Sequence, residues 1–211
     1  MVWHMSGWLI AITVYVSLAV LTGLPIIRVL ISGIPLNPGG TSFQDSPNFS
    51  EAARLRLTQH YSRLMGTLGF WKKQAELYRR LHYYTLCWSA PSAVAIPFLI
   101  QAITVDLYSR WLATIVSGFT AILLSFHRAL KVDANYKAFR QGESDFYDTY
   151  RRLLDRPDSF GRTEDEQIAS YFDAVENLRK YVRNAEIDNM PSLEQVKEQL
   201  DSQKIGTPKA S

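Results

Sequence analysis

Apolar and charged positions divide the chain into three uncharged blocks set in otherwise polar sequence. Residues 7–27 (GWLIAITVYVSLAVLTGLPII) carry no charge, and the apolar character continues past Arg28 to Ile34. Tyr83 to Val105 and Trp111 to Phe126 form two further blocks, separated only by Asp106, Leu107, Tyr108, Ser109 and Arg110. A membrane-spanning helix needs about 20 apolar residues, each advancing it by about 1.5 Å. The first two blocks reach that length. The third has 16 residues, and spans only if Tyr108 and His127 lie in the interfacial layer or the bilayer thins locally. So short a break makes the helices at about 83–105 and 111–127 antiparallel neighbours. The pattern predicts an all-α integral membrane protein: a transmembrane hairpin plus an N-terminal transmembrane helix within residues 1–34. A cleaved signal peptide fits poorly, because no basic residue precedes Gly7, the apolar block is too long and no A-x-A pattern ends it. Pro25 is expected to kink the last turns of this helix, with Arg28 reaching back to the interface.

Outside these blocks the period changes. Residues 35–49 hold three prolines and a Gly-Gly pair, which reads as a linker without helix. Ser50 has the character of an N-cap for a helix beginning at Glu51. From there Leu57, Tyr61, Leu64, Leu68, Trp71, Ala75, Tyr78 and His82 recur at a 4-3-4-3 spacing. Beyond the hairpin, Val132, Tyr136, Phe139, Glu143, Phe146, Tyr150 and Leu153 repeat it, with Glu143 the one charged member. Such spacing predicts a left-handed coiled-coil contact. With no stop signal before either span, both hairpin helices are expected to continue as a cytosolic antiparallel stalk, the whole unit covering 50–156. Pro157, Asp158, Ser159 and Gly161 end it. Thr163 and Glu166 form a capping box for a C-terminal helix within 157–188, whose stripe is Ile168, Phe172, Val175, Leu178 and Val182. The helix is expected to pack on the stalk or on another subunit, and residues 189–211 form a polar tail.

Composition changes this picture in two respects. The mean hydropathy of -0.09 conceals the segregation, and the net charge of +3 with no Lys/Arg run offers no nucleic-acid surface. The single cysteine, Cys87, excludes an internal disulfide and a thiolate metal cage. Lys and Arg set the orientation. They are absent before Gly7, whereas Arg54, Arg56, Arg63, Lys72, Lys73, Arg79 and Arg80 lie between the first two spans, and Arg128, Lys131, Lys137 and Arg140 follow the third. The positive-inside rule then places the N-terminus and hairpin tip outside a cytoplasmic membrane and the C-terminus in the cytosol. Trp3, Trp8, Tyr108 and Trp111 fall at the outer interface, and Tyr83 and Tyr84 at the inner one.

An aromatic-basic helix, FWKKQAELYRRLHYY, thus runs into a two-span hairpin, and a helix beginning FHRALKVDANYKAFRQ leaves it, followed by a capped helix. Over roughly residues 50–190 this plan resembles the SLATT family, the SMODS- and SLOG-associating two-transmembrane effector domains of microbes. The resemblance implies a non-enzymatic membrane effector that forms a pore or channel, often beside a nucleotide-signalling module. The extra helix at 7–34 departs from the two-span plan, and the chain carries no nucleotide-synthesising or nucleotide-sensing domain.

No enzyme signature, cofactor loop or paired nucleophile is present, and His4, His60, His82 and His127 do not sit at metal-ligand spacing in sequence. The expectation is therefore no catalytic residue, no cofactor and no metal. Antiparallel geometry brings His82 and His127 to one depth, either as a pH- or ion-responsive ring at a pore mouth or as interfacial histidines sharing hydrogen bonds. Thr114, Ser117, Gly118, Ala121 and Ser125 form a stripe of small residues that suits close helix packing or a narrow wet pathway. Pro91 and Pro97 give kinked packing or a gating hinge. Asp106 and Arg110 pair locally or ring an outer mouth, and Glu143 fixes register in the seam, with Lys137 and Arg140 one turn away. Three spans of one chain enclose no usable channel, so the conducting form is expected to be a homo-oligomer of four or more in the lipid bilayer, passing ions. The alternative is a non-conducting anchor or scaffold that docks a cytosolic protein partner through the stalk.

Overall fold

A long uncharged run and a 3.6-residue period both specify helix, and helix is what forms. The computed structural model describes residues 7–33, 35–36, 42–103 and 107–189, and among these there is no strand. Five α-helices follow in order: α1 (Gly7–Ile31), α2 (Glu51–Gln101), α3 (Leu107–Ala129), α4 (Val132–Asp155) and α5 (Glu164–Asn189). Single 3-10 turns occur at Phe43–Asp45 and Pro157–Ser159. Three helices, α1, α2 and α3, are long and apolar enough to cross a membrane. α3 begins at Leu107, ahead of the third apolar block, and its 23 residues reach the spanning length of about 20 without help from thinning. Asp106, Trp3 and the tail beyond Asn189 lie outside the described residues.

The chain divides into two compact units. One contains α1 with Tyr78–Asp133, and the other contains Ile31–Leu77 with Ala134–Asn189.

In the first unit α1 packs on α2 of the same chain. Ala19 and Gly23, one turn apart, bring the α1 backbone close enough for the Tyr84 hydroxyl to donate to the Ala19 carbonyl at 2.9 Å. The Trp88 indole donates to the Thr22 hydroxyl at 3.0 Å, and Arg80 donates to the Pro25 carbonyl at 3.2 Å. Tyr15, Trp88 and Phe119 then meet edge-to-face, with centroids 5.0 to 6.1 Å apart, joining all three helices. Pro25, Pro91 and Pro97 lie inside helices that continue past them. On α1 only Ala19 and Val29 are buried, so Val14, Leu18, Val20, Leu21, Leu24 and Ile27 stay exposed. An apolar face of that extent suits hydrocarbon rather than water.

The second unit is a three-helix core. Ser50 caps α2 as expected, its hydroxyl accepting from the Ala53 amide at 3.3 Å. Its own amide and hydroxyl donate to Glu164, at 2.9 and 2.5 Å, which ties the starts of α2 and α5 together. Those bonds hold the Glu164 carboxyl below its ordinary range. Contacts step in register from Ser50–Glu164 to His60–Phe172, so α5 runs parallel to this part of α2. They step in opposite register from Tyr61–Tyr150 to Phe70–Phe139, so α4 runs antiparallel. The seam residues Leu57, Leu64, Leu68, Trp71, Phe139, Phe146 and Leu153 are all buried, Tyr61 and Tyr136 partly so. Ile168, Val175 and Val182 of α5 are buried with them, so the seam serves a three-helix core rather than one helix pair. The capping box of α5 forms: Thr163 Oγ1 accepts from the Glu166 amide, and Glu166 accepts from the Thr163 amide, each at 3.3 Å.

Two expectations need correction here. Residues 42–49 are not a bare linker. Phe43 inserts among Tyr61, Tyr150 and Tyr171, with ring centroids 4.4 to 6.5 Å away, and is buried together with Phe49. Proline and glycine stop a long helix but do not stop an aromatic residue from entering a core, where burial contributes about 2 kcal/mol. The second correction concerns the return path: α3 and α4 are not one helix, because the chain breaks at Leu130 and Lys131.

Gly142 on α4 faces α5 and α2, and a Cβ there would overlap Val182 and touch Trp71. Alanine gains about 1 kcal/mol of helix propensity, but overpacking costs about 1–3 kcal/mol and wins because neither neighbour is a flexible chain end. Gly142→Ala is expected to lower the melting temperature followed by circular dichroism; a rise would show that α5 yields.

His60 stacks on Phe172 at 4.1 Å. Burial first, then the charges of Arg179 and Arg63, hold its pKa below 6.5. The folded state therefore favours neutral imidazole, and its contribution is complete above pH 6.5 and is lost as pH falls below that value. His60→Gln is expected to flatten the fall in melting temperature as pH drops below 6.5, measured against the parent in matched buffers.

Candidate functional site

His82 is on α2, His127 is on the last turn of α3 and Asp133 is on the first turn of α4. Their donor atoms converge. His82 Nδ1 lies 3.0 Å from His127 Nε2 and 2.7 Å from Asp133 Oδ1, and His127 Nε2 lies 3.8 Å from the same oxygen. Among the described residues this is the one set of three metal-ligand types gathered within 4.8 Å. Both imidazoles are partly covered, while the Asp133 side chain is 57% exposed.

The two histidines meet as antiparallel α2 and α3 predict. Asp133 was not expected, because on an unbroken helix it would lie about 9 Å along the axis from His127 and on another face. The break brings it back. Leu130 donates to Phe126 and Lys131 to Arg128, at 2.9 and 3.1 Å, closing α3 with a tightened turn. Lys131 then takes a left-handed conformation, with φ 42°, and is the one non-glycine residue described with positive φ. That conformation costs roughly 1 kcal/mol for an L-residue. α4 then starts with an acidic first turn, which its helix dipole favours.

His82 carries a single proton at most on Nδ1, yet that atom faces two acceptor-capable partners. Either one N–H is shared between the carboxylate and the second imidazole, or Nδ1 is unprotonated and accepts from one of them. The arrangement brings two imidazole nitrogens and a carboxylate oxygen within 3.8 Å of one another.

The stripe on α3 faces away from this packing. Leu112, Ala113, Val116 and Thr120 form the buried side, while Thr114, Gly118, Ala121 and Ser125 are exposed and Ser117 is half-buried. A Cβ at Gly118 would meet nothing within 4 Å. The hydroxyls of Thr114 and Ser117 donate to carbonyls of their own helix, Arg110 and Ala113, at 3.0 and 2.6 Å. They need no other partner in lipid or at a contact. Arg110 is exposed in the first turn of α3.

Both hinge-candidate prolines are exposed, and Pro91 also lines an open apolar groove of about 380 Å³ with Ala11, Tyr15, Trp88, Leu99 and Val116. Glu143 is buried in the three-helix core and accepts a 2.7 Å hydrogen bond from Arg140, whose side chain remains largely exposed. The arginine thus satisfies the carboxylate while keeping most of its own hydration. Burial first, then the neighbouring Tyr61 and the charge of Glu143, push the Tyr147 hydroxyl up to about 12. Sequence reasoning missed Asp133, Tyr171 and the Trp88–Phe119 contact. The one local signal was an aspartate at the start of a polar helix, which also marks an ordinary first turn.

If the Lys131 conformation is intrinsic to the turn, glycine relieves it and a β-branched residue worsens it. Melting temperatures are expected in the order Lys131→Gly, parent, Lys131→Val, with about 1 kcal/mol between neighbours; the reverse order would place the strain elsewhere. Comparison with known proteins finds no matching family model, no matching curated protein and no matching solved structure.

Proposed function

We propose that the chain is a non-enzymatic subunit of an ion-conducting homo-oligomer in a cytoplasmic membrane. The outward stripe of α3 lies at the subunit contact nearest the axis. α1, α2 and α3 cross the bilayer, with the N-terminus outside and the second unit in the cytosol, as the distribution of Lys and Arg favours. The carrying observation is that Thr114, Gly118, Ala121 and Ser125 are exposed on α3 while its opposite face is filled. Small residues on an unfilled face let a second backbone approach closely, and hydroxyl groups supply polar surface without fixed charge. One chain's three helices enclose no pathway, whereas closed cyclic symmetry repeats the stripe around an axis. The likeness of residues 50–190 to the SLATT plan agrees with this reading.

The alternative, a non-conducting anchor, draws on the second unit, where His60, Phe172, Val175, Arg179 and Arg183 line a surface recess of about 220 Å³. Purified full-length protein in nanodiscs distinguishes the two. Mass photometry is expected to count four or more copies, and liposomes carrying the protein are expected to pass ions. Thr114→Leu and Gly118→Leu together are expected to cut that flux at least tenfold. A monomer or dimer without flux would overturn the reading in favour of the anchor. Flux unchanged by the double substitution would remove α3 as the lining.

A further inference from the structure

The His82–His127–Asp133 cluster carries a reading of its own, independent of whether the protein conducts. Two imidazole nitrogens and one carboxylate oxygen, on three different helices, lie together with separations of 2.7, 3.0 and 3.8 Å. Zinc-type ions bind nitrogen and oxygen at about 2.0–2.2 Å, so ligand atoms around them in a tetrahedral site stand roughly 3.3–3.6 Å apart. The three separations straddle that range, and a point about 2 Å from all three atoms lies close to their plane. One side of that plane then remains for water or another ligand, as the exposure of Asp133 allows. The donor set also selects. Two imidazoles with one carboxylate suit first-row transition ions, whereas magnesium and calcium prefer oxygen alone.

The backbone gives a second reason. Lys131 adopts a left-handed conformation at the turn that carries Asp133 to the two histidines. Strain held by a non-glycine residue beside convergent ligand types is a feature of functional sites. A hydrogen-bonded trio accounts for the contacts only with one N–H shared between two partners or with the proton placed on His127 Nε2. A divalent ion satisfies all three at once and displaces one proton at most from the imidazole pair.

We propose that His82, His127 and Asp133 bind one divalent first-row transition ion per chain, of the zinc class, and that the ion pins α2 to the turn between α3 and α4. No redox or hydrolytic step is assigned to it.

The test uses full-length, tag-free protein in detergent, stripped with a chelator and titrated with Co²⁺. One equivalent per chain is expected to give the visible d–d bands of a four- or five-coordinate nitrogen–oxygen site. Zn²⁺ should displace it and Mg²⁺ should not. Zn²⁺ should raise the melting temperature in a concentration-dependent way. His82→Ala and Asp133→Asn should each weaken Co²⁺ binding at least tenfold, while His60→Gln, in the other unit, should leave it unchanged. Far-ultraviolet circular dichroism checks that each variant is folded. X-ray absorption at the zinc edge of the parent protein should report two imidazoles, and this readout does not depend on any variant folding. Substoichiometric uptake, binding indifferent to both cluster variants, or an absorption spectrum without imidazole scattering would overturn the assignment.

Discussion

The break at Leu130 and Lys131 is the constraint on which much of the chain's organisation depends. α2 runs 51 residues without interruption, through a polar half with a heptad-like stripe and an apolar half without one. The returning chain does not match it as one rod. It stops at Ala129, turns through a left-handed Lys131 and restarts at Val132. Side-chain direction on a helix advances by about 100° per residue, so a break resets which face the following residues present. Val132 is fully buried immediately after the turn, and Phe139, Phe146 and Leu153 follow it at intervals of seven. A helix unbroken through residue 131 would carry the α3 phase forward. The restart frees the two phases from each other.

Several hydroxyl and indole groups of the first unit are met by neutral partners. Thr13, Thr22, Thr114 and Ser117 donate to carbonyls one turn earlier on their own helices. Tyr84 and Trp88 send their polar ends to α1 and leave their rings to the aromatic contacts with Phe119. Such groups are costly in hydrocarbon if unsatisfied; these find partners within the unit, which presents Val94, Phe98, Ile122 and Phe126 outward. The two faces of α3 differ accordingly. One is filled by its own chain, and the other is small, apolar or self-bonded.

The second unit follows rules for water. Its core is dense in aromatic residues, and Tyr171 is the largest side chain that is fully buried. Burial, followed by the neighbouring Tyr150 and Tyr61, raises its phenol strongly, so it stays neutral. Glu143 is held by Arg140, and Gln167, also buried, donates to the Gly161 carbonyl at 3.1 Å. A Cβ at Gly161 would meet Glu166 and the Gln167 amide, so the turn into α5 depends on a residue without one. The segment that precedes α2 contributes Phe43 to the same core. The unit is therefore closed by residues from both ends of its sequence.

Local pattern determined a good deal. The absence of charge over 7–27, 83–105 and 111–126 marked three helices long enough to cross a membrane, and heptad-like spacing marked the buried faces of α2 and α4. Ser50, Thr163 and Glu166 announced helix starts through their capping chemistry. These features are readable because hydrogen bonds and periodicity within a helix join residues three or four apart. The His82–Asp133 contact, the insertion of Phe43 and the outward facing of the α3 stripe join or separate residues tens of positions apart. Nothing in the local sequence encodes such distances. Only the tertiary structure decided them, because the direction in which each helix leaves its turn selects which of several apolar or polar faces meet.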